Sequence, residues 1–304
     1  MNEKIKVVMD VDTGVDDAFA LLFAAKYKSI ELLAVGAVAG NVSEHIALRN
    51  TLAVLSLAGR EDVPVAPGAE KPLETELKDA SDFHGGNGLN GIVIPDSARP
   101  CEDISAVDQM IALSLKYPGE ITLVPTGPLT NVALAIQKDA GFAARLKEII
   151  LMGGAAYCCG NVGPYTEFNI GVDPEAARVV FSSGAKITMV GLDVTDKTVL
   201  PLRAVEEGPG PLRAFVRSLV GAHSKISGNG GMTMHDPLTM GFVADRSLLE
   251  LKPAHVQIET LGELTRGMTV VERREGREPP SNAMVAVGVD AERFNRLWLE
   301  TVLG

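Results

Sequence analysis

The chain has 304 residues, of which 46% are hydrophobic, 22% charged and 5% aromatic. That length suits one large α/β domain or two smaller ones, and the hydrophobic fraction excludes a mainly disordered chain. The formal net charge of −11 leaves no basic surplus to neutralise phosphates, which argues against nucleic acid or an anionic membrane as the main partner. Residues 266–277 come nearest to a basic patch, and their Glu residues dilute it.

Strand-like apolar runs alternate with helix-like periodic segments along most of the chain. Residues 5–9 form a short buried run, and 16–27 follow with Phe19, Leu22 and Phe23 at helical spacing. A strand over 31–39 and a helix over 43–58, ending at Gly59, come next. Further strands are predicted at 63–66, 121–124, 149–152 and 186–191, with helices at 104–117, 129–138 and 173–182. This order implies an α/β fold: a mainly parallel, doubly wound, Rossmann-like sheet with helices on both faces. After about residue 201 the pattern changes to helices at 212–226 and 237–245, strands at 254–259, 268–271 and 284–289, and a last helix over 290–303. No linker separates the parts, so the expectation is a single domain over 1–304, with a core over 1–200 and a C-terminal helical and β elaboration over 201–304. Trp298, with Phe294 and Leu297, lies on one face of the last helix and reads as core or subunit packing.

Three cysteines, Cys101, Cys158 and Cys159, cannot form a fully paired disulfide framework. The N-terminus has no apolar signal region, and the uncharged stretches 121–137 and 149–166 are broken by Gly, Pro, Asn and Thr. The expectation is a cytoplasmic protein that does not enter the membrane.

Two connections, 67–100 and 153–171, are long and Gly-containing, as functional loops often are. Ligands of a doubly wound sheet bind at the carboxyl ends of its strands. There the first strand delivers Asp10-Val11-Asp12-Thr13-Gly14-Val15-Asp16-Asp17, four carboxylates within eight residues. Helix capping explains one or two acids at such a place, not four. Crowded carboxylates require a cation or shared protons, and a hard divalent ion such as Ca²⁺ or Mg²⁺ suits oxygen donors. An EF-hand reading fails, because Val15 stands where Gly is required and Leu21 where Glu is required. The Asp-x-Asp phosphatases that use an aspartyl nucleophile match in part, with Gly14 where Thr or Val is usual.

The octapeptide resembles the signature of the inosine–uridine-preferring nucleoside hydrolases, and seven further segments follow that family in order. They are Gly40-Asn41; the loop His84-Gly85-Gly86-Asn87-Gly88; Thr126-Gly127-Pro128-Leu129-Thr130-Asn131; Met152-Gly153-Gly154; Glu167-Phe168-Asn169 with Asp173-Pro174; His235-Asp236-Pro237; and Arg266-Gly267-Met268-Thr269. Thr13 departs from the family, standing where Pro is commonest; an extended turn accommodates it.

The resemblance implies hydrolysis of the N-glycosidic bond of ribonucleosides to ribose and free base, with one Ca²⁺ per subunit. It implies Asp12, Asp17, the backbone carbonyl of Thr126 and Asp236 as metal ligands, with Asp12 also the general base. Asp16, Asn41 and Asn169 would bind the 2′- and 3′-hydroxyls, Glu167 and Asn161 the 5′ side, and Met152 would pack against the sugar. His235 would protonate the departing base, having a titration range suited to that task, and His84 would contact the base as its loop closes. Asp10 is expected to orient ligands from behind and Asp173 to cap a helix. His45, His223 and His255 match no motif and read as surface or structural residues. The single Trp, in the last helix, and the scarcity of aromatics over 212–234 lean towards pyrimidine or broad base preference. The family also suggests a homodimer or homotetramer. Two other classes stay open: a metal-dependent phosphatase with Asp10 as nucleophile, and a non-catalytic nucleoside-binding protein.

Overall fold

The computed structural model describes residues 4–274, 276–277 and 279–304. Residues 1–3, part of the N-terminal stretch read for a signal region, and Glu275 among the acids diluting the 266–277 patch, lie outside them.

The strands are β1 (Ile5–Val11), β2 (Ile30–Ala37), β3 (Val65–Ala66), β4 (Thr122–Pro125), β5 (Glu148–Met152), β6 (Ile187–Val190), β7 (Val199–Pro201), β8 (Gly231–Thr233), β9 (Leu249–Ala254), β10 (Val256–Ile258), β11 (Thr269–Val271) and β12 (Ala283–Val289). Eight of them form one sheet in the order β3-β2-β1-β4-β5-β6-β12-β9. All its neighbours pair in parallel except the edge strand β9, which runs antiparallel to β12. The doubly wound, mainly parallel sheet expected from the alternating pattern is therefore present. Central strands such as β4 (Thr-Leu-Val-Pro) and β6 (Ile-Thr-Met-Val) are buried along their whole length, as strands covered on both faces must be.

Two apolar layers cover the sheet. On one face the helices Val15–Lys26, Glu44–Leu57, Pro211–Ser227, His235–Ala244 and Ala291–Leu303 enclose Phe19, Leu55, Leu219, Leu238 and Trp298. On the other, Ala106–Lys116, Thr130–Lys138 and Pro174–Phe181 enclose Met110, Val132 and Phe181. Helix Val15–Lys26 is apolar nearly all round because it is wedged between the sheet, helix His235–Ala244 and the last helix. The Trp298 ring stacks on Phe19 at 4.7 Å, and its indole N–H donates to the Phe19 carbonyl at 3.2 Å. The core reading of this residue holds.

Three readings need correction. The single strand at 254–259 is two: the chain breaks at His255, and β10 pairs with β11 in a separate ribbon. The main part of β9 escaped notice because Pro253 and Glu250 suit only an edge strand. The ribbon of β7 and β8, which brackets helix Pro211–Ser227, was also missed. The long connections contain helical turns, Ser81–His84 in the first and the start of Phe168–Val172 in the second. No helix among the described residues is long and apolar enough to cross a membrane.

Candidate active site and metal centre

The strand order reverses direction between β1 and β4, and the carboxyl ends of those strands open a crevice. β1 delivers Asp10 and Asp12 there, and the loop after β4 delivers Thr126. β5 ends in Met152, and the turn after β2 carries Asn41. Glycines allow the close approach. A Cβ at Gly40 would lie 2.1 Å from Asp12 Oδ2, and one at Gly14 would lie 2.5 Å from His84 Nδ1. Side chains at either position would displace the groups that build the site.

The acids are held by directional bonds. Asp12 Oδ2 accepts from the Asn41 backbone N–H at 2.7 Å. Asp17 Oδ2 accepts from the Gly14 N–H at 3.0 Å and the Asn41 side-chain amide at 3.1 Å, and Oδ1 from the Thr126 hydroxyl at 2.8 Å. Asp10, fully buried behind them, accepts from the Asn131 amide at 2.9 Å. Asp236, more than 200 positions later in the chain, stands in the first turn of helix His235–Ala244, which packs against helix Val15–Lys26.

Donor atoms of Asp16, Asp17 and Asp236 all lie within 4.8 Å of one another. Asp16 and Asp236 are close enough to share a hydrogen bond, which requires a proton on one of them. Burial, reinforced by the neighbouring carboxylates, raises Asp236 and Asp12 well above the usual range, and the same causes push Asp16 up to about 7. Asp10 is pushed up to about 8, chiefly by burial. Asp12 Oδ1 and Asp16 Oδ1 are buried without a hydrogen-bond partner. Orphaned carboxylate oxygens beside a three-acid cluster are the donor set a hard divalent cation takes, so the residues fit such an ion. The mutual group contains Asp16, which the resemblance gave to sugar hydroxyls. Asp12, which it gave to the metal, stands beside the group.

Above the acids lies a cavity of ≈ 330 Å³. Asp16, Asn41, Thr126, Met152, Asn169 and Asp236 line it, and His84, Asn161, Glu167 and His235 complete the set of sequence-predicted residues that reach it. Asp12 and Asp17 do not line it; both are fully buried. The Asn169 amide donates to the Thr126 carbonyl at 2.6 Å and the Met152 carbonyl at 3.2 Å. The Thr126 carbonyl expected to face a metal thus already receives one hydrogen bond and has a second lone pair to offer. Glu167 caps helix Phe168–Val172: Oε1 accepts from the Asn169 N–H at 2.9 Å, and Oε2 from the Gly154 and Ile170 N–H groups at 2.8 and 3.1 Å.

The outer walls are different in character. Phe83, Phe168, Val162, Val15 and three histidines line them. His84 Nδ1 accepts from the Val15 N–H at 3.2 Å, and burial with two neighbouring histidines takes the ring down to about 3. His235 Nδ1 pairs with the Thr195 hydroxyl at 2.8 Å, and burial depresses the ring to about 4. The titration range expected of His235 is thus moved down, and the ring is neutral at pH 7.

His223 corrects the sequence reading. It is buried on helix Pro211–Ser227, faces the Phe83 ring edge-on at 5.4 Å and lines the cavity. The helical step from Phe215 and Leu219 to His223 was the available signal. Asp196, also a lining residue, carried no sequence signal. Asp173 caps helix Pro174–Phe181 through the Ala176 N–H, as expected.

The sequence profile of the inosine-uridine preferring nucleoside hydrolases matches residues 7–296. The pyrimidine-specific ribonucleoside hydrolase RihA of Shewanella sp. (strain MR-7) is 40% identical, over 97% of this chain and 95% of its own. A purine-preferring ribonucleoside hydrolase from Gardnerella vaginalis has a similar structure, with TM-score 0.90, 35% identity and 98% of both chains covered. A plant nucleoside hydrolase superposes with TM-score 0.91 at 34% identity, again over 98% of both chains.

Proposed function

Because the chain belongs to the inosine-uridine preferring nucleoside hydrolase family and is thereby a ribonucleoside hydrolase, we propose that it cleaves the N-glycosidic bond with Ca²⁺ held by the acidic cluster, on pyrimidine or a broad range of nucleosides. The observation that carries the metal reading is the approach of Asp16, Asp17 and Asp236 within 4.8 Å, beside unpartnered oxygens of Asp12 and Asp16. Asp12, Asp17, Asp236 and the Thr126 carbonyl would hold the ion, with Asp16 close enough to contribute. When bound, a divalent cation supplies positive charge that offsets these carboxylates and makes water in the site more acidic.

The chain's own groups divide the rest of the reaction. Asp12 Oδ1 accepts the proton of the attacking water, and its position is fixed by the Asn41 N–H on Oδ2. Asp16, Asn41 and Asn169 bind the sugar hydroxyls on the polar floor, and Met152 supplies an apolar contact. Hydrolysis by water opposite the leaving base follows the logic of inverting glycosidases. The base lies among Phe83, Phe168 and the histidines, which offer it aromatic and apolar contact. His235 Nδ1 pairs with the Thr195 hydroxyl; in the tautomer assigned to the reaction the hydroxyl is the donor, and the ring N–H at Nε2 donates to the departing base.

The pyrimidine or broad preference is supported by the name of the RihA relative and by a wall that, among the described residues, has Phe but neither Trp nor Tyr. A phosphatase reading is disfavoured because Asp10 is tied to the Asn131 amide and the chain belongs to a family of nucleoside hydrolases. The deciding assay measures base and reducing-sugar release from uridine, cytidine, inosine and guanosine, before and after metal stripping and with Ca²⁺ restored. Release that calcium restores, highest or equal for the pyrimidines, is expected. Undiminished release after stripping would remove the metal from the proposal, and phosphate release from nucleotides with no ribose from any nucleoside would favour the phosphatase.

A further inference from the structure

A neutral imidazole donates from whichever ring nitrogen holds its proton, and the partner on the other nitrogen decides which one that is. His235 opens helix His235–Ala244 and lines the cavity. Its Nδ1 pairs with the Thr195 hydroxyl at 2.8 Å, which leaves Nε2 as the ring nitrogen available to a ligand.

Thr195 comes from a different part of the chain, the turn Leu192–Thr195 after β6, and that turn is held from several sides. The Thr195 N–H donates to the Gly191 carbonyl at 3.1 Å, and the Leu192 N–H to the Gly154 carbonyl at 2.9 Å. A Cβ at Gly191 would collide with that Gly154 carbonyl, so the turn sits directly on the chain that leaves β5. Asp193 accepts from the Ala156 and Tyr157 N–H groups at 2.9 and 2.8 Å. Thr195 is fully buried, and among the described residues its hydroxyl bonds only His235. The two tautomers of His235 are therefore unequal. With the proton on Nδ1, the Thr195 oxygen accepts it and the hydroxyl's own hydrogen is sealed in without an acceptor. With the proton on Nε2, the hydroxyl donates to Nδ1 and no group of this buried pair goes unmet.

We propose that Thr195 is a positioning residue for the reaction: by donating to His235 Nδ1 it keeps the ring proton on Nε2, the nitrogen left to the cavity. The inference rests on the ribonucleoside hydrolase reading with His235 as donor to the departing base, and adds the residue that puts the proton on the correct side of the ring. Thr195 acts through His235 alone.

The test compares kcat and KM of the calcium-loaded wild type, Thr195→Val and Thr195→Ser on uridine and on p-nitrophenyl riboside, whose activated leaving group departs without a hydrogen bond. Valine keeps the shape and removes the hydroxyl; serine keeps the hydroxyl. Thr195→Val should lower kcat on uridine roughly tenfold, a part of the ~10²–10⁴ that a positioned acid supplies. KM for uridine and kcat on p-nitrophenyl riboside should stay within about twofold, and Thr195→Ser should recover uridine turnover to within about threefold of wild type. An unslowed Thr195→Val, equal slowing of both substrates, or a serine variant as slow as the valine one overturns the proposal. Should Thr195→Val fail to fold, NMR of wild type labelled at its histidine nitrogens reads the tautomer directly, with the His235 signals assigned by their loss in His235→Gln. A proton on Nε2 supports the assignment and one on Nδ1 overturns it. If the wild type releases no uracil from uridine, the hydrolase reading fails separately, and the same spectrum still decides what Thr195 does to the ring.

Discussion

Asp236→Asn should stabilise the metal-free protein while removing its response to calcium. At a separation of 4.8 Å and an effective dielectric of about 20, two unit charges repel by roughly 3.5 kcal/mol. Three ionised carboxylates would therefore cost about 10 kcal/mol, as much as a whole domain's stability. Protonation limits that cost: holding one carboxyl neutral at pH 7 against an ordinary value of 3.8 costs at most about 4 kcal/mol. Asparagine keeps the shape, carries no charge and still donates to Asp16. In chelator the variant should gain up to about 4 kcal/mol, or about 8 °C in Tm at roughly 2 °C per kcal/mol for a chain of this size. Calcium at about 100-fold above Kd should raise the wild type by about 2.7 kcal/mol, roughly 5 °C, and the variant by far less. Thermal melts of both proteins in chelator and in calcium decide the matter. A chelated variant that melts below the chelated wild type, or an equal calcium shift in both, would refute the charge-crowding account of Asp236.

Three further outcomes follow from the geometry. His235→Ala should slow uridine far more than a riboside carrying an activated leaving group such as p-nitrophenol, because only the natural base needs a hydrogen bond as it departs; equal slowing of both would end that assignment. His84 sits at about 3 in the fold against 6.5 when unfolded, so the unfolded chain takes up the proton first. Its contribution is complete above about pH 6.5 and is lost as pH falls towards 3, at about 1.4 kcal/mol per pH unit. Urea midpoints at pH 7 and pH 5 should thus show wild type losing about 2 kcal/mol relative to His84→Gln; parallel losses would contradict the buried neutral ring. Trp298→Ala should cost about 3–5 kcal/mol by urea denaturation, because the ring is fully buried on Phe19, and a loss below about 1 kcal/mol would show that the helix repacks.

The sheet was legible because its central strands are short, mostly apolar runs that alternate with periodic helices over most of the chain, a pattern set by burial on both faces. β9 was not, since an edge strand tolerates Pro253 and Glu250, and nothing local to that stretch reveals its neighbour β12. The acidic cluster announced itself through charge density within one octapeptide. Its completion by Asp236 came from resemblance, because no spacing rule connects residues so far apart; only the packing of two helices joins them. His223 and Asp196 escaped for the same reason. Each is unremarkable beside its sequence neighbours and becomes a cavity wall only when helix Pro211–Ser227 and the turn Leu192–Thr195 are brought over the sheet edge.

The two halves of the cavity are built differently, and the difference bears on what each can recognise. Asp17 and Asp236 stand in the first turns of helices Val15–Lys26 and His235–Ala244, whose positive ends meet at the sheet's switch point. Those helices are locked by the apolar layer that contains Phe19, Leu238 and Trp298. The polar floor is thus preorganised by the same packing that stabilises the fold. Phe83, His84, Asn161 and Val162 come instead from the long connections 67–100 and 153–171, where Phe83 and Val162 stay 41% and 56% exposed. Under the proposed assignment, a rigid floor beneath a wall carried on long loops would fix the sugar more strictly than the base. Relatives named pyrimidine-specific and purine-preferring share this fold, and the proposed assignment predicts that exchanging the loops that carry Phe83 and Val162 shifts base preference while substitutions behind the acids do not.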